Sequence, residues 1–320
     1  MAPSIVSLNQ AKTTQALQNT LAYNQITDMM ELYRETNFAI SRLITRQYST
    51  SFSLGILAFQ PSFRAPIYSI YGFVRYADEI VDDLASELSI EEKAEALSTW
   101  GNTVLADLKK GTSDDHVGRA LIDTVKRFDI PHEHFEAFLH SMTMDLTVQE
   151  YETYEDLLEY VYGSAAVIGL EMVPILGPLH NDAFEAAKKL GIAFQLANFI
   201  RDVDEDLDRG RVYLPIKELA QFGVSREMLE ERVLTPEIIE ALKFQIARVR
   251  QLQSEAAPGI AMLEATSRPC IEAASTLYCG IVDEVEKIGY DIFNQRAKTS
   301  TARRIRVAGA AFMKRVLVSR

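Results

Sequence analysis

Two stretches of the sequence carry aspartates at matched spacing. In YGFVRYADEIVDD, Tyr71, Arg75, Asp78 and Asp82 follow one another at steps of four, three and four; in QLANFIRDVDED, Gln195, Asn198, Asp202 and Asp206 follow at three, four and four. On a helix turning ~100° per residue, each set falls in one narrow stripe. Phe73, Ile80 and Leu84 lie opposite the first stripe, and Leu196, Ile200 and Leu207 flank the second. A helix that is apolar over most of its circumference is buried, so its acids must face an interior cleft.

Carboxylates converging in such a cleft repel one another and raise their own pKa values unless a cation lies between them. An all-oxygen donor set without His or Cys suits Mg²⁺, with Mn²⁺ as a substitute. Arg75 and Arg201 adjoin the acids and present donors that match phosphate oxygens. One acidic pair alone would be an ordinary solvent face. Two pairs, each with an arginine and an apolar opposite side, are hard to place on a surface, and together they read as a metal-diphosphate site. Asp83 and Asp204 are extra acids; Asp204 falls on the far side of its helix from Asp202, which predicts a solvating role.

The surrounding pattern is helical throughout. Periodicity begins near Thr27 and runs to about Tyr48, and Pro66 is expected in the first turn of the helix that carries Arg75. Ser89 with Glu92, and Thr153 with Asp156, are capping boxes, the first opening a helix that Gly111 ends. Further helices are expected over about 115–128, 131–150, 181–208, 215–222, 236–264 and 269–293, with Pro174 ending or kinking the one that follows Thr153 and DRGRVYLP breaking the second acidic helix. No alternation of strand type is convincing, so the chain reads as all-α. Residues 1–24 are polar and expected to be poorly ordered, with one domain over 25–320.

Composition bounds the rest. With 48% hydrophobic residues and 24% charged, the 320-residue chain has the make-up of a folded soluble protein. A net charge of -12 argues against a nucleic-acid binder. From Asn294 onward, however, there are eight Lys or Arg and no acid, and the amphipathic segment over 301–317 suggests peripheral contact with an anionic membrane. Cys270 and Cys279 are too few and too close in a helical pattern to frame disulfides or zinc, and read as core residues. No signal-peptide pattern and no clean run of ~20 apolar residues is apparent, which gives a cytoplasmic expectation.

These two acidic motifs, with YSTSFSLGI before them, YVYGSAAVIG between them and GYDIFNQRAKTST after them, resemble the squalene and phytoene synthase family of head-to-head prenyl transferases. The resemblance spans roughly residues 40–310, and the GYDIF ending is similar to its bacterial phytoene synthase branch. It implies an isoprenoid synthase-type helical bundle around a central cavity. It also implies Asp78, Asp82, Asn198, Asp202 and Asp206 as metal ligands, and Arg75, Gln195, Asn198, Arg201 and Arg211 as diphosphate contacts. Tyr71, Tyr162 and Tyr213 would join Arg75, Arg201 and Arg211 around the reacting centre, with Phe52, Phe194 and Tyr278 as cavity aromatics. The implied reaction joins two prenyl diphosphates through a cyclopropylcarbinyl diphosphate to a linear hydrocarbon, most simply two geranylgeranyl diphosphates to phytoene in carotenoid biosynthesis, without NADPH.

The spacing of four in both motifs sets the chain apart from head-to-tail elongases, and no Glu-x-x-His pair supports a di-iron bundle. Two alternatives stay open. One is a C15-using squalene or dehydrosqualene synthase; the other is a non-catalytic binding or assembly homologue, which should have lost some of these acids or arginines. Nothing in the sequence sets the oligomeric state.

Overall fold

A computed structural model of the chain describes residues 31–49, 55–82 and 88–319, with the side chain of Asp82 outside that description. The expectations for residues 1–24 and for Phe52 lie outside the described residues. In chain order the helices are α1 (31–48), α2 (Pro61–Asp82), α3 (Ile90–Lys110), α4 (His116–Phe128), α5 (His132–Thr147) and α6 (Tyr154–Val161). A π-helical turn, Tyr162–Ala166, joins α6 to α7 (Val167–Leu176). There follow α8 (Asp182–Arg201), α9 (Val203–Asp208), α10 (Ile216–Gln221), α11 (Arg226–Glu230), α12 (Pro236–Ile260), α13 (Arg268–Tyr278), α14 (Ile281–Lys287) and α15 (Thr301–Val318). Among the described residues there is no strand, only the isolated bridges Glu150–Val212 and Pro178–Leu263.

Local chemistry explains most boundaries. The two expected capping boxes open α3 and α6, Asp115 caps α4, and Gly111 takes the left-handed conformation that ends α3. Pro66 departs from expectation: it lies inside α2, not in its first turn, because the helix begins at Pro61. The carbonyl that Pro66 leaves without a donor belongs to Ser62, which is exposed and can be hydrated. The expected helix over 269–293 divides at Gly280 into α13 and α14, and the one over 181–208 divides at Asp202.

The core forms two clusters. Phe73, Phe135, Phe138, Ile67 and Leu121 anchor one around α2, α4 and α5; Leu196, Ile200, Leu242, Ile246 and Val249 anchor the other around α8 and α12. Phe73 stands at the centre of the first, its ring 5.4 Å from Trp100, 5.3 Å from Phe135 and 5.1 Å from Phe138. The first acidic row rides on α2 and the second runs from the end of α8 into α9, so each cluster carries one row. Both cysteines are free and buried, as expected.

The run Tyr154–Leu176 is long and apolar enough to cross a membrane by length and composition, which the sequence reading did not anticipate. In the fold it is a packed element: Leu157, Val161, Val167 and Ile175 are buried. Its path depends on close backbone approaches. A Cβ on Gly163 would lie 2.1 Å from the Ala137 carbonyl oxygen, and one on Gly191 would lie 2.7 Å from that of Ala165. Glycine is therefore required for the π turn to wedge between α5 and α8. The Ser141 hydroxyl donates to the Tyr160 carbonyl at 2.8 Å beside that turn.

Candidate active site

The α2 row is held by the burial of Phe73, Ala77 and Val81 on the other side of the helix. Tyr71 is half-buried and hydrogen-bonded to Ser49; burial raises its pKa, with Arg75 opposing the shift and Asp78 adding to it. Arg75 pairs with Glu79, one turn on, and its guanidinium lies 4.3 Å from the centre of the Tyr48 ring, while its buried Nε has no partner. Tyr71, Arg75 and Asp78 thus form one group.

The second row straddles a joint. Asp202 closes α8 at φ −101 and ψ 14, outside helical geometry, yet its N–H still donates to Asn198 at 2.9 Å and its carbonyl accepts from Asp206 at 2.8 Å. Its carboxylate is gripped by two arginines. Arg201 forks onto it, with Nε at 2.7 Å from Oδ1, and Arg296 reaches Oδ1 at 2.9 Å while also pairing with Glu205 at 2.9 Å. Asp206 is different: burial first, then the charge of Asp202, pushes its pKa up to about 7 against the pull of Arg209 and Arg211. Gln195 and Asn198 are partly accessible on the same stripe. Asp204, expected to be solvated, pairs with Arg232 at 2.8 Å, and Asp208 pairs with the same guanidinium.

The Tyr278 ring stacks on Phe194 of α8 at 4.9 Å, and burial raises its phenol pKa against the pull of Arg201.

A hub not anticipated from the sequence lies beneath the second row. Asp145, at the end of α5, accepts from the Tyr160 hydroxyl at 2.9 Å and from the Tyr213 hydroxyl at 2.8 Å, and its backbone carbonyl accepts from Arg211 at 2.7 Å. Phe199 stacks on Tyr213 at 4.1 Å and 8°. Burial holds the Tyr160 and Tyr213 phenols well above their usual range, so both remain proton donors to Asp145. The structure brings Arg211 and Tyr213 into this hub. Tyr162 is not part of it: that side chain is 39% exposed, with Lys188 Nζ 5.8 Å from its ring centre, and Tyr160 is the tyrosine beside the acid.

Among the described residues, no three His, Cys, Asp or Glu side chains stand close enough together to form a metal-binding group. The donor chemistry nonetheless fits a hard divalent ion: Asp206 is half-buried near Asp202, each raises the cost of the other's charge, and the nearby amides and carboxylates offer oxygen ligands. Arg296, Asp145 and Tyr160 escaped the sequence reading of the site. Arg296 stands within the quoted segment GYDIFNQRAKTST, and Asp145 had no signal beyond its position on a helix end.

Comparison with known proteins agrees with this arrangement. Residues 45–303 match the family described as squalene/phytoene synthase. The chain is 37% identical over 281 residues to phytoene synthase 1, chloroplastic, of Arabidopsis thaliana, covering 86% of this chain and 65% of that one, so it spans about two thirds of the plant protein's length. It is 33% identical to the 15-cis-phytoene synthase of Synechocystis, covering 88% of this chain and 86% of the other. Among solved structures, a dehydrosqualene synthase superposes with a TM-score of 0.79 at 27% identity, covering 90% and 98% of the two chains. A squalene synthase from Alicyclobacillus acidocaldarius superposes at 0.75 and 25%, covering 81% and 96%. With an all-helical fold, paired acidic rows and a family match across most of its length, this chain belongs to the squalene/phytoene synthase family.

Proposed function

We propose that this chain, as one helical domain over 25–320, is a prenyl transferase that joins two prenyl diphosphates head to head into a linear hydrocarbon, with geranylgeranyl diphosphate as substrate and phytoene as product. The observation that carries the reading is the grip of Arg201 and Arg296 on Asp202, with Asp206 one turn on and pushed up in pKa by burial and by the charge of Asp202. The phytoene assignment is supported by the names of the plant and cyanobacterial relatives. The two solved relatives named as dehydrosqualene and squalene synthases support the C15 alternative.

The residues divide the work. Arg201 and Arg296, which hold Asp202 in this structure, present guanidiniums that can transfer to the oxygens of an entering diphosphate, and Arg75 can exchange Glu79 in the same way. Asp78, Asp82, Asn198, Asp202 and Asp206 would hold Mg²⁺, or Mn²⁺ in its place, which when bound neutralises charge on the leaving diphosphate. Stacked Phe194 and Tyr278 offer ring faces to an allylic cation. Arg211 and Tyr213, fixed by Asp145, close the space behind the second row. NADPH has no part in this reading, and the basic C-terminal helix is assigned to peripheral membrane contact, with the bulk of the chain cytoplasmic.

The test is incubation of the purified protein with farnesyl or geranylgeranyl diphosphate, with and without Mg²⁺ and NADPH, with pyrophosphate release and mass spectrometry of the hydrocarbon as readouts. A C40 product formed without NADPH is expected. Exclusive use of the C15 substrate overturns the product, and absence of pyrophosphate release with either substrate favours a non-catalytic homologue.

A further inference from the structure

Helix α1 inverts the usual pattern of a packed helix: it buries Asn37, Ser41 and Thr45, at steps of four, and leaves Leu32 and Leu43 exposed. Small polar side chains there permit close approach. A Cβ on Gly72 of α2 would lie only 3.3 Å from the Ser41 hydroxyl oxygen and 3.2 Å from Val117 Cγ1, so α1 crosses α2 at a glycine. Polar contacts fix the crossing against α4: Asn37 Oδ1 lies 2.7 Å from His116 Nδ1, and Arg34 donates to Asp123 at 2.9 and 3.0 Å. Two turns beyond Ser41 the same face of α1 presents Tyr48, and one turn beyond Gly72 the helix α2 presents Arg75.

The two side chains meet. The Arg75 guanidinium carbon lies 4.3 Å from the centre of the Tyr48 ring, within the range of a cation–π contact. The next residue, Ser49, hydrogen-bonds Tyr71, and its own N–H still donates to the Thr45 carbonyl at 2.9 Å, so the last turn of α1 is intact where it touches the first acidic row. Arg75 has two partners of different kinds: the carboxylate of Glu79, which takes an N–H, and the ring of Tyr48, which takes none. Its Nε has no hydrogen-bond partner. A carboxylate competes with an entering diphosphate for the same donors, whereas a ring face fixes the guanidinium plane and leaves every donor free. Tyr48 is 43% exposed, so its ring does not serve as a core anchor.

We propose that Tyr48 is a positioning residue for the prenyl diphosphate: its ring face holds the Arg75 guanidinium in place while the N–H groups pass from Glu79 to the diphosphate oxygens. Tyr48 stands outside both acidic rows and acts only through Arg75. The inverted face of α1 has its reason here, because the close crossing at Ser41 and Gly72 is what brings the end of α1 down onto the arginine. The inference rests on the prenyl transferase reading above and adds to it the element that orients one of its diphosphate contacts. A contact that grips the diphosphate equally before and during ionisation alters KM more than kcat.

Calorimetric titration of the full chain with magnesium pyrophosphate, beside steady-state kinetics with geranylgeranyl diphosphate, tests it. Tyr48→Leu is expected to weaken pyrophosphate affinity about fivefold, and to raise KM by a similar factor with kcat little changed, the size of a partly desolvated cation–π contact. Its melting temperature should match that of the wild type. Tyr48→Met, which keeps a long apolar side chain without a ring, should lose the same affinity and serves as the second truncation if the leucine variant melts early. Tyr48→Phe keeps the ring face and should stay within about twofold of the wild type. In an Arg75→Gln background, Tyr48→Leu should cause no further loss of affinity. The proposal is overturned if Tyr48→Leu and Tyr48→Met bind as the wild type does, if Tyr48→Phe loses as much as they do, or if the Tyr48→Leu and Arg75→Gln losses simply add. Normal turnover with affinity and KM unmoved in Tyr48→Leu sinks the positioning role and leaves the functional reading standing. Weakened pyrophosphate binding in Tyr48→Leu, in a protein whose wild type turns over no prenyl diphosphate, does the reverse.

Discussion

The Tyr213 hydroxyl donates to Asp145 Oδ1 at 2.8 Å, tying the extended segment after α9 to the end of α5. The same carboxylate takes the Tyr160 hydroxyl, and the backbone carbonyl of Asp145 takes Arg211. Removing the acid leaves two buried phenols without their acceptor. Asp145→Ala is expected to cost about 1–3 kcal/mol of stability and to lower turnover by releasing Arg211, as read by thermal melts and steady-state kinetics. Tyr213→Phe leaves the second phenol in place and should cost about 1 kcal/mol. Equal stability of Asp145→Ala and wild type would show that the hub contributes nothing.

Asp202 is matched by two guanidiniums, so its replacement should cost both stability and turnover. Asp202→Asn should lower the melting temperature while remaining folded and lose roughly 10²-fold or more in pyrophosphate release, in line with the loss of a charged group from a preorganised site. Arg296→Gln should raise KM more than it lowers kcat, because the guanidinium is read as a diphosphate contact. A variant of either residue at wild-type rate would count against the site.

Tyr160 and Tyr162 lie two residues apart with opposite surroundings. Tyr162→Phe removes a hydroxyl from an exposed ring and should change stability by less than about 0.5 kcal/mol, with turnover unaltered. Tyr160→Phe removes a buried donor to Asp145 and should be the more damaging of the two in melts and in kinetics. The reverse order would restore Tyr162 to the cavity wall.

Glu171 is fully buried and neither of its carboxyl oxygens has a partner. Burial raises its pKa well above the usual carboxylate range. The folded chain therefore keeps a proton that the unfolded chain releases once pH exceeds the ordinary glutamate value, and stability falls as pH rises from there toward the folded pKa. Glu171→Met should gain about 1–3 kcal/mol near neutral pH, with the gain shrinking as pH is lowered through the ordinary glutamate value. Melting curves across pH measure it, and a pH-independent difference would refute the assignment.

Much of this architecture was legible because its signals are local. Ser89, Asp115, Thr153 and Gly111 set helix ends by hydrogen bonds within a few residues, and the acidic rows repeat at helical spacing. Pairings across the fold left no such trace. Asp145 and Tyr213 are 68 residues apart and Arg296 and Asp202 are 94 apart, so neither contact has a spacing to read. The break at Asp202 was hidden for another reason: both flanking i to i−4 hydrogen bonds survive, so the residue pattern remains that of one helix. Asp204 was read from that unbroken wheel and instead meets Arg232 from a distant turn.

That break has a mechanical consequence. With backbone bonding intact on either side, torsion at one residue can swivel α9 against α8 without unwinding either, so the carboxylate of Asp206 can be re-aimed relative to Asn198 by a small rotation. Substrate loading that pulls Arg201 and Arg296 away from Asp202 would free that pivot, making the second row a jointed lever whose stiffness is set by who holds its fulcrum.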